Sequence, residues 1–289
     1  MEKNEKTIVL LSILAVLFVW FNAGMGLFYS DGGSFRYVES IHGVTVQLFG
    51  DGVYANHSTF IAGIRKGTDF VMLLVSFGFF IATLKRNKGN KTKLLHGGLL
   101  FAIFYYALTL TFETVFNRLF LSYTALLSIS FFAVIYTFID LKNTILPANK
   151  DGQHTKTAIF TIITGFSGLV WLMDIIPTIF SNVPPDFLSI YTTSPTKAID
   201  IGLLFPMFVL CGIMLLNKKA AGYFLAPIML MFVSFIAFVV VGQTAFQMIF
   251  GVDVALYQLI GYVVTFIVFG SIAIIVNIKF MLRVWPKSK

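Results

Sequence analysis

The sequence predicts an all-α, polytopic transmembrane helical bundle of about eight spans. Three observations carry that expectation. Apolar residues make up 57% of the 289 and charged residues 12%, against roughly 45–50% and about 25% in soluble domains. The apolar residues are gathered into eight runs, at about 8–29, 58–84, 94–115, 119–139, 157–180, 198–216, 222–242 and 256–280. Each run is close to the 20 or so residues that a helix needs to cross about 30 Å of hydrocarbon. Finally, basic residues cluster at every second connection. Strand-like alternation is absent along these runs, so a closed barrel is not expected.

The elements follow in order, and together they make 1–289 a single transmembrane domain. The first run begins after Glu2, Lys3, Glu5 and Lys6 and is too long for a signal peptide, with Phe21-Asn22-Ala23-Gly24 a poor cleavage site. A long external loop, 30–57, comes next. Its Val44–Phe49 stretch has strand composition and Gly50-Asp51-Gly52 has turn chemistry, so a small lid or hairpin is expected there. Ser58 is placed to cap the second span. Pro177, Pro206 and Pro227 fall inside later spans, where they are expected to kink the helix.

Lys and Arg near span ends stay on the cytoplasmic side. With both termini inside, sixteen of the 21 basic residues are cytoplasmic; Arg36, Arg65, Lys66, Arg118 and Lys197 remain outside. The alternation holds at every loop. The formal charge of +8 then reads as topology and attraction to an anionic inner leaflet. Because that charge is spread over separate cytoplasmic segments, no nucleic-acid partner is expected; the lipid bilayer is the principal one.

Redox and metal chemistry find little support. Cys211 is the single cysteine, which excludes an intramolecular disulfide and thiolate clusters. His42, His57, His96 and His154 show no i,i+3 or i,i+4 pairing. No metal site and no cofactor are expected, and phosphate loops, zinc-protease motifs and nucleophile elbows are absent.

The carboxylates are distributed unevenly. Nine of thirteen fall on the external half, and four of these lie in or at the edge of spans: Asp69 opens the second, Glu113 closes the third, Asp174 is near the outer end of the fifth and Asp200 opens the sixth. Ionisable groups in spans are costly unless they face a partner or a wet cavity. Two readings stay open. Asp69 and Asp200 could be helix caps at first turns, or the four acids could line one outward-facing pocket completed by Arg65, Lys66, Arg118 and Lys197. Arg118, in the turn after Glu113, is placed to pair with that acid or to form an ordinary interfacial ion pair.

A four-span duplication is also suggested. Lys66-Gly67-Thr68-Asp69 opens the second span and Lys197-Ala198-Ile199-Asp200 opens the sixth. Each is followed by an apolar run ending in a basic turn, and each is preceded by an external tyrosine, Tyr54 or Tyr191. Substrate sites in membrane proteins tend to lie between such repeats.

Several short motifs carry a resemblance. They are Gly50-Asp51-Gly52-Val53-Tyr54-Ala55-Asn56-His57-Ser58, Arg65-Lys66-Gly67-Thr68-Asp69-Phe70-Val71, the Tyr105-Tyr106 region leading to Asn117, and Ile199-Asp200-Ile201-Gly202 with Pro206. In these the chain resembles an uncharacterised group of bacterial multi-pass membrane proteins of about eight helices and unknown function. That group commonly reads Gly-x-Gly-Leu-Tyr-x-x-Asp-Ser followed by Arg-Gly-Thr-Asp; here His57 stands where its first acid would be and Lys66 precedes the glycine. The resemblance implies a bacterial plasma (inner) membrane and singles out Asp69 and Asp200, with no activity attached.

The functional expectation is solute or ion binding, or transport, through an outward-facing acidic cavity. Its candidate ligand-binding residues are Asp69, Asp200, Glu113, Asp174, Arg118, Tyr54, His57 and Lys66. A non-catalytic membrane subunit or sensor with a membrane-protein partner, or an outer-leaflet lipid-modifying enzyme using an Asp or His57 as base, would use the same surface differently.

Overall fold

A computed structural model of the chain describes residues 2–144, 154–181, 183, 185–254, 256 and 259–285, with the side chains of 2, 3, 186 and 262 left aside. Lys150, Lys287 and Lys289, three of the sixteen basic residues assigned to the cytoplasm, and positions 257–258 of the expected last span lie outside the described residues.

Among the described residues eight helices are long and apolar enough to cross a membrane: Asn4–Phe28, Thr59–Leu84, Asn90–Glu113, Phe120–Thr144, Thr155–Ser181, Pro195–Leu216, Ala220–Ile249 and Leu259–Val284. They are called the first to eighth spans below. Only a helix satisfies its own backbone over such a length without an edge. Several run beyond their apolar cores. The seventh continues to Ile249 rather than ending near 242, because Gln243 and Gln247, which break the apolar run, lie on its inner side, where Gln243 donates to Thr68.

The third span is the most enclosed, with 72% of its apolar window buried, whereas the eighth has 12%. The second and seventh spans pack together closely, as do the seventh and eighth, the fifth and sixth, and the first with the second and fourth. Small residues permit the first of these contacts. A Cβ on Gly67 would meet the Gly242 carbonyl oxygen at 2.4 Å, and one on Gly63 would meet Gln247 Cα at 2.9 Å. Gly63 and Gly67 thus form the small-xxx-small spacing that lets two backbones approach. Large apolar side chains such as Leu121, Phe180 and Leu256 point outward, as lipid-facing positions do.

Between the first and second spans, strand β1 (Arg36–Glu39) pairs antiparallel with β2 (Thr45–Leu48), Arg36 opposite Leu48 and Glu39 opposite Thr45. The expected strand is present, but its turn lies before it, at Ser40–Val44, where Gly43 takes φ +75°. Gly50-Asp51-Gly52 builds a separate loop instead. Asp51 Oδ1 accepts from Ser30 Oγ (2.9 Å) and from the Asp31 and Gly32 amides (3.0 and 3.1 Å), while Asp31 Oδ1 accepts from the Gly52 amide at 3.0 Å. Burial opposes ionisation of Asp51, but these donors outweigh it and hold the carboxyl below its usual range.

At the opposite end of the bundle the fully buried Arg86 joins Glu5 to Asp140, at 2.5 Å from the latter, and Lys93 adds a second contact to Asp140 at 3.1 Å. This ties the first, third and fourth spans together where the second ends.

Candidate functional site

The site gathers around the third span near the end that carries the hairpin. Tyr105 and Tyr106 are consecutive there, and successive helical residues point about 100° apart. Tyr106 Oη therefore donates to Asp69 Oδ1 on the second span at 2.7 Å, whereas Tyr105 Oη donates to Asp200 Oδ1 on the sixth at 2.7 Å. Each aspartate has one further donor: Tyr54 Oη reaches Asp69 Oδ2 at 2.7 Å and Trp171 Nε1 reaches Asp200 Oδ2 at 2.9 Å. Tyr54, in the turn before the second span, has its hydroxyl pushed well above its ordinary pKa by burial and then by the neighbouring Asp69 carboxylate.

Neither aspartate is a cap. The second span starts at Thr59 with Ser58 as its cap, its Oγ accepting from the Ile61 amide at 3.3 Å, so Asp69 lies well inside the helix and is fully buried. The sixth begins at Pro195, and Asp200 opens a π-helical turn, Asp200–Leu204, within it. Such turns recur at functional sites because they re-aim side chains within a continuous helix.

Nearer the hairpin, Glu113 at the end of the third span accepts from Arg65 Nη2 at 2.5 Å and from Thr196 Oγ1 at 2.6 Å. Lys197 Nζ lies 2.5 Å from Asp174 Oδ2, 4.8 Å from the Trp171 ring centre and 3.5 Å from that of Phe187. Two charge pairs and Asp200 are thus arranged around one space, with Asp69 behind Tyr106. Gln243 Nε2 donates to Thr68 Oγ1 at 2.8 Å across the second and seventh spans.

That space is a cavity of about 950 Å³, with Arg65, Tyr105, Tyr106, Glu113, Trp171, Asp174, Lys197 and Asp200 among its polar lining. Its deepest lining lies near the middle of the second, third and fifth to eighth spans and is mostly apolar there: Leu204, Phe205 and Phe208 on the sixth span, Phe232 and Phe235 on the seventh and Phe266 on the eighth, beside Tyr105 and Thr164. Beyond them Met72, Phe79, Leu100 and Phe101 fill the bundle. Among the described residues no group of three or more His, Cys, Asp or Glu side chains is placed to hold a metal ion.

The eight residues singled out from the sequence divide. Glu113, Asp174 and Asp200 line the cavity, while Asp69 stands behind its wall, reached through Tyr106. Tyr54 holds Asp69 from the side away from Tyr106. Lys66 is directed elsewhere: its Nζ donates to the Leu27 carbonyl at 3.2 Å and lies 5.5 Å from the Phe49 ring centre. Arg118 is not the partner of Glu113. It donates to Tyr29 Oη at 2.9 Å and stacks on that ring, because Arg65, one helix away, already occupies the carboxylate.

His57 is fully buried below the hairpin. The Val115 amide donates to its Nε2 at 3.1 Å, which leaves Nδ1 as the protonated nitrogen, donating to Tyr191 Oη at 2.7 Å. Burial, and then the Arg65 guanidinium, hold the ring well below its ordinary value of 6.5. His42 Nε2 lies 2.8 Å from the Tyr191 carbonyl oxygen, so two histidines fasten one residue of the segment between the fifth and sixth spans. Trp171, Tyr191 and Thr196 are not among the residues expected from the sequence. Their one sequence signal is a polar or amphipathic side chain close to a carboxylate-bearing span end.

The chain has the eight-helix build of a multi-pass membrane protein. No protein family, curated protein or solved structure matches it.

Proposed function

We propose that the protein binds a small solute or ion from the external side of a bacterial plasma membrane, as the outward-facing step of a transport cycle. The observation that carries this is the cavity of about 950 Å³ at the hairpin end, charged toward that end and apolar at mid-span. Pockets of roughly 300–1,000 Å³ enclose drug-sized molecules. The hairpin end is taken as external and both termini as cytoplasmic, on the distribution of 16 of 21 basic residues to the other side. The second and third spans face the fifth to eighth across the cavity, an arrangement in keeping with a site between two four-span units.

A thermal-shift screen of the purified chain against cationic, anionic and neutral organic solutes tests the binding. A ligand at 100 times its Kd adds about 2.7 kcal/mol of stability. At least one class is expected to raise the melting temperature, and Val239→Trp, which fills the cavity, is expected to abolish that rise. A screen with no shift in any class would remove the reading.

A further inference from the structure

The charges that line the cavity do not cancel evenly. Arg65 is held by Glu113 at 2.5 Å and Lys197 by Asp174 at 2.5 Å, so each lining cation already has a carboxylate. Asp200 is the lining carboxylate left over. Among the described residues its hydrogen-bond partners are Tyr105 Oη and Trp171 Nε1, both neutral donors. A carboxylate has about four acceptor positions on its two oxygens, so one on each remains for a group arriving from the cavity.

The surroundings of Asp200 favour an organic cation over a bare metal ion. A hard cation stripped of its water takes about six or more oxygen ligands, and among the described residues no group of three or more His, Cys, Asp or Glu side chains is placed to supply them. Instead, the walls beyond Asp200 are aromatic and aliphatic: Leu204, Phe205 and Phe208 follow it along the sixth span, and the Phe232 ring centre lies 5.1 Å from that of Tyr105, the partner of Asp200. The edge of this region already holds an ammonium. Lys197 Nζ sits over the faces of Trp171 and Phe187 while paired to Asp174, the combination of ring quadrupole and counter-charge that attracts alkylammonium groups.

Resting on the solute-binding reading above, we propose that the ligand is an organic cation, its ammonium group against Asp200 and its apolar body against Phe205, Phe208 and Phe232. Trp171 serves the ligand indirectly, as a positioning residue: its N–H fixes the carboxylate while its ring face is occupied by Lys197.

Three probes of closely similar shape decide the matter: phenylbutyl-dimethylammonium, which keeps one N–H to donate, its neutral carbon isostere with an isopropyl end, and phenylbutyl sulfonate. Equilibrium binding is measured on the full chain in lipid nanodiscs, with empty nanodiscs subtracted. The cation is expected to bind about tenfold or more tightly than either other probe, with that preference lost in Asp200→Asn and kept in Asp200→Glu. Retention by Asp200→Glu guards against a folding defect, and an unchanged melting temperature of the empty Asp200→Asn variant checks the same point.

If the isostere or the sulfonate binds as well as the cation, and Asp200→Asn makes no difference, the cation proposal falls while solute binding stands. If the sulfonate binds best, and Lys197→Gln abolishes it, the site is an anion site and the proposal is likewise overturned. If none of the three binds, the cation proposal is overturned. The broader solute screen then decides separately whether the cavity binds anything.

Discussion

Tyr105 and Tyr106 are neighbours in the chain yet hold aspartates on different spans, Asp200 in the cavity wall and Asp69 behind it. The two hydroxyls therefore face different environments, and removing them should have different consequences. Tyr106→Phe leaves a fully buried carboxylate oxygen without its donor, which costs about 1–3 kcal/mol; a lower melting temperature is expected. Tyr105→Phe frees an oxygen that cavity water can reach, so its stability should change little while ligand affinity changes. Equal losses of stability in both variants would show that the cavity does not hydrate Asp200.

The Arg65–Glu113 pair is buried on the arginine side, with side-chain exposures of 4% and 19%. Glu113→Gln strands a buried guanidinium and is expected to cost about 3–5 kcal/mol, whereas Arg65→Met with Glu113→Leu removes both charges and costs far less. Chemical unfolding of Arg65→Met, Glu113→Leu and the double variant closes the cycle and gives the coupling. Additive losses would mean that the pair is solvated.

His57 makes stability depend on pH. Its folded-state pKa is depressed, so the unfolded chain binds the proton first and the native fold is weakened as pH falls below the ordinary value of 6.5. The loss is up to about 1.4 kcal/mol per pH unit until the folded pKa is reached. Above 6.5 the ring is neutral in both states and contributes no slope. Melting temperatures of the wild type and of His57→Gln between about pH 8 and 5 are compared, a range chosen to bracket histidine titration; parallel curves would rule out His57 as the source.

Close approach of the second and seventh spans depends on Gly67. A side chain there meets backbone, the Gly242 carbonyl oxygen at 2.4 Å and Gln243 Cα at 2.5 Å. Gly67→Leu should therefore lose at least the roughly 1–3 kcal/mol typical of overpacking. Gly78, where an added Cβ would find nothing within 4 Å, should accept alanine without loss. Similar melting temperatures for the two variants would contradict the packing of these spans.

Orientation is checked with single cysteines, Cys211 being the only native one and buried. In intact cells Glu39→Cys, on the hairpin, should react with a membrane-impermeant maleimide, and Lys88→Cys should react only after lysis. The reverse pattern would invert the topology and move the cavity to the cytoplasmic face.

Much of this architecture is legible in the sequence. The apolar runs mark all eight spans, Ser58 announces the start of the second, and Val44–Phe49 contains the second strand. These are local properties: hydropathy over some twenty residues and the chemistry of one cap are set by the residues themselves. Helix ends are less legible where polar side chains face inward, as at Gln243 and Gln247, since an apolar run cannot distinguish a polar residue in a cavity from the end of a helix.

Which side chains become partners is settled only when the helices pack. Asp69 and Asp200 stand near span ends in sequence, as caps would, yet both are held by side chains from elsewhere in the chain. Arg118 follows Glu113 in the chain, but Arg65 reaches that carboxylate first. The cause is rotation: which way a side chain points depends on how each helix is turned about its axis against its neighbours, and close contacts such as Gly67 on Gly242 set that turn. Composition and periodicity dictate that a helix crosses, whereas packing dictates which residues meet.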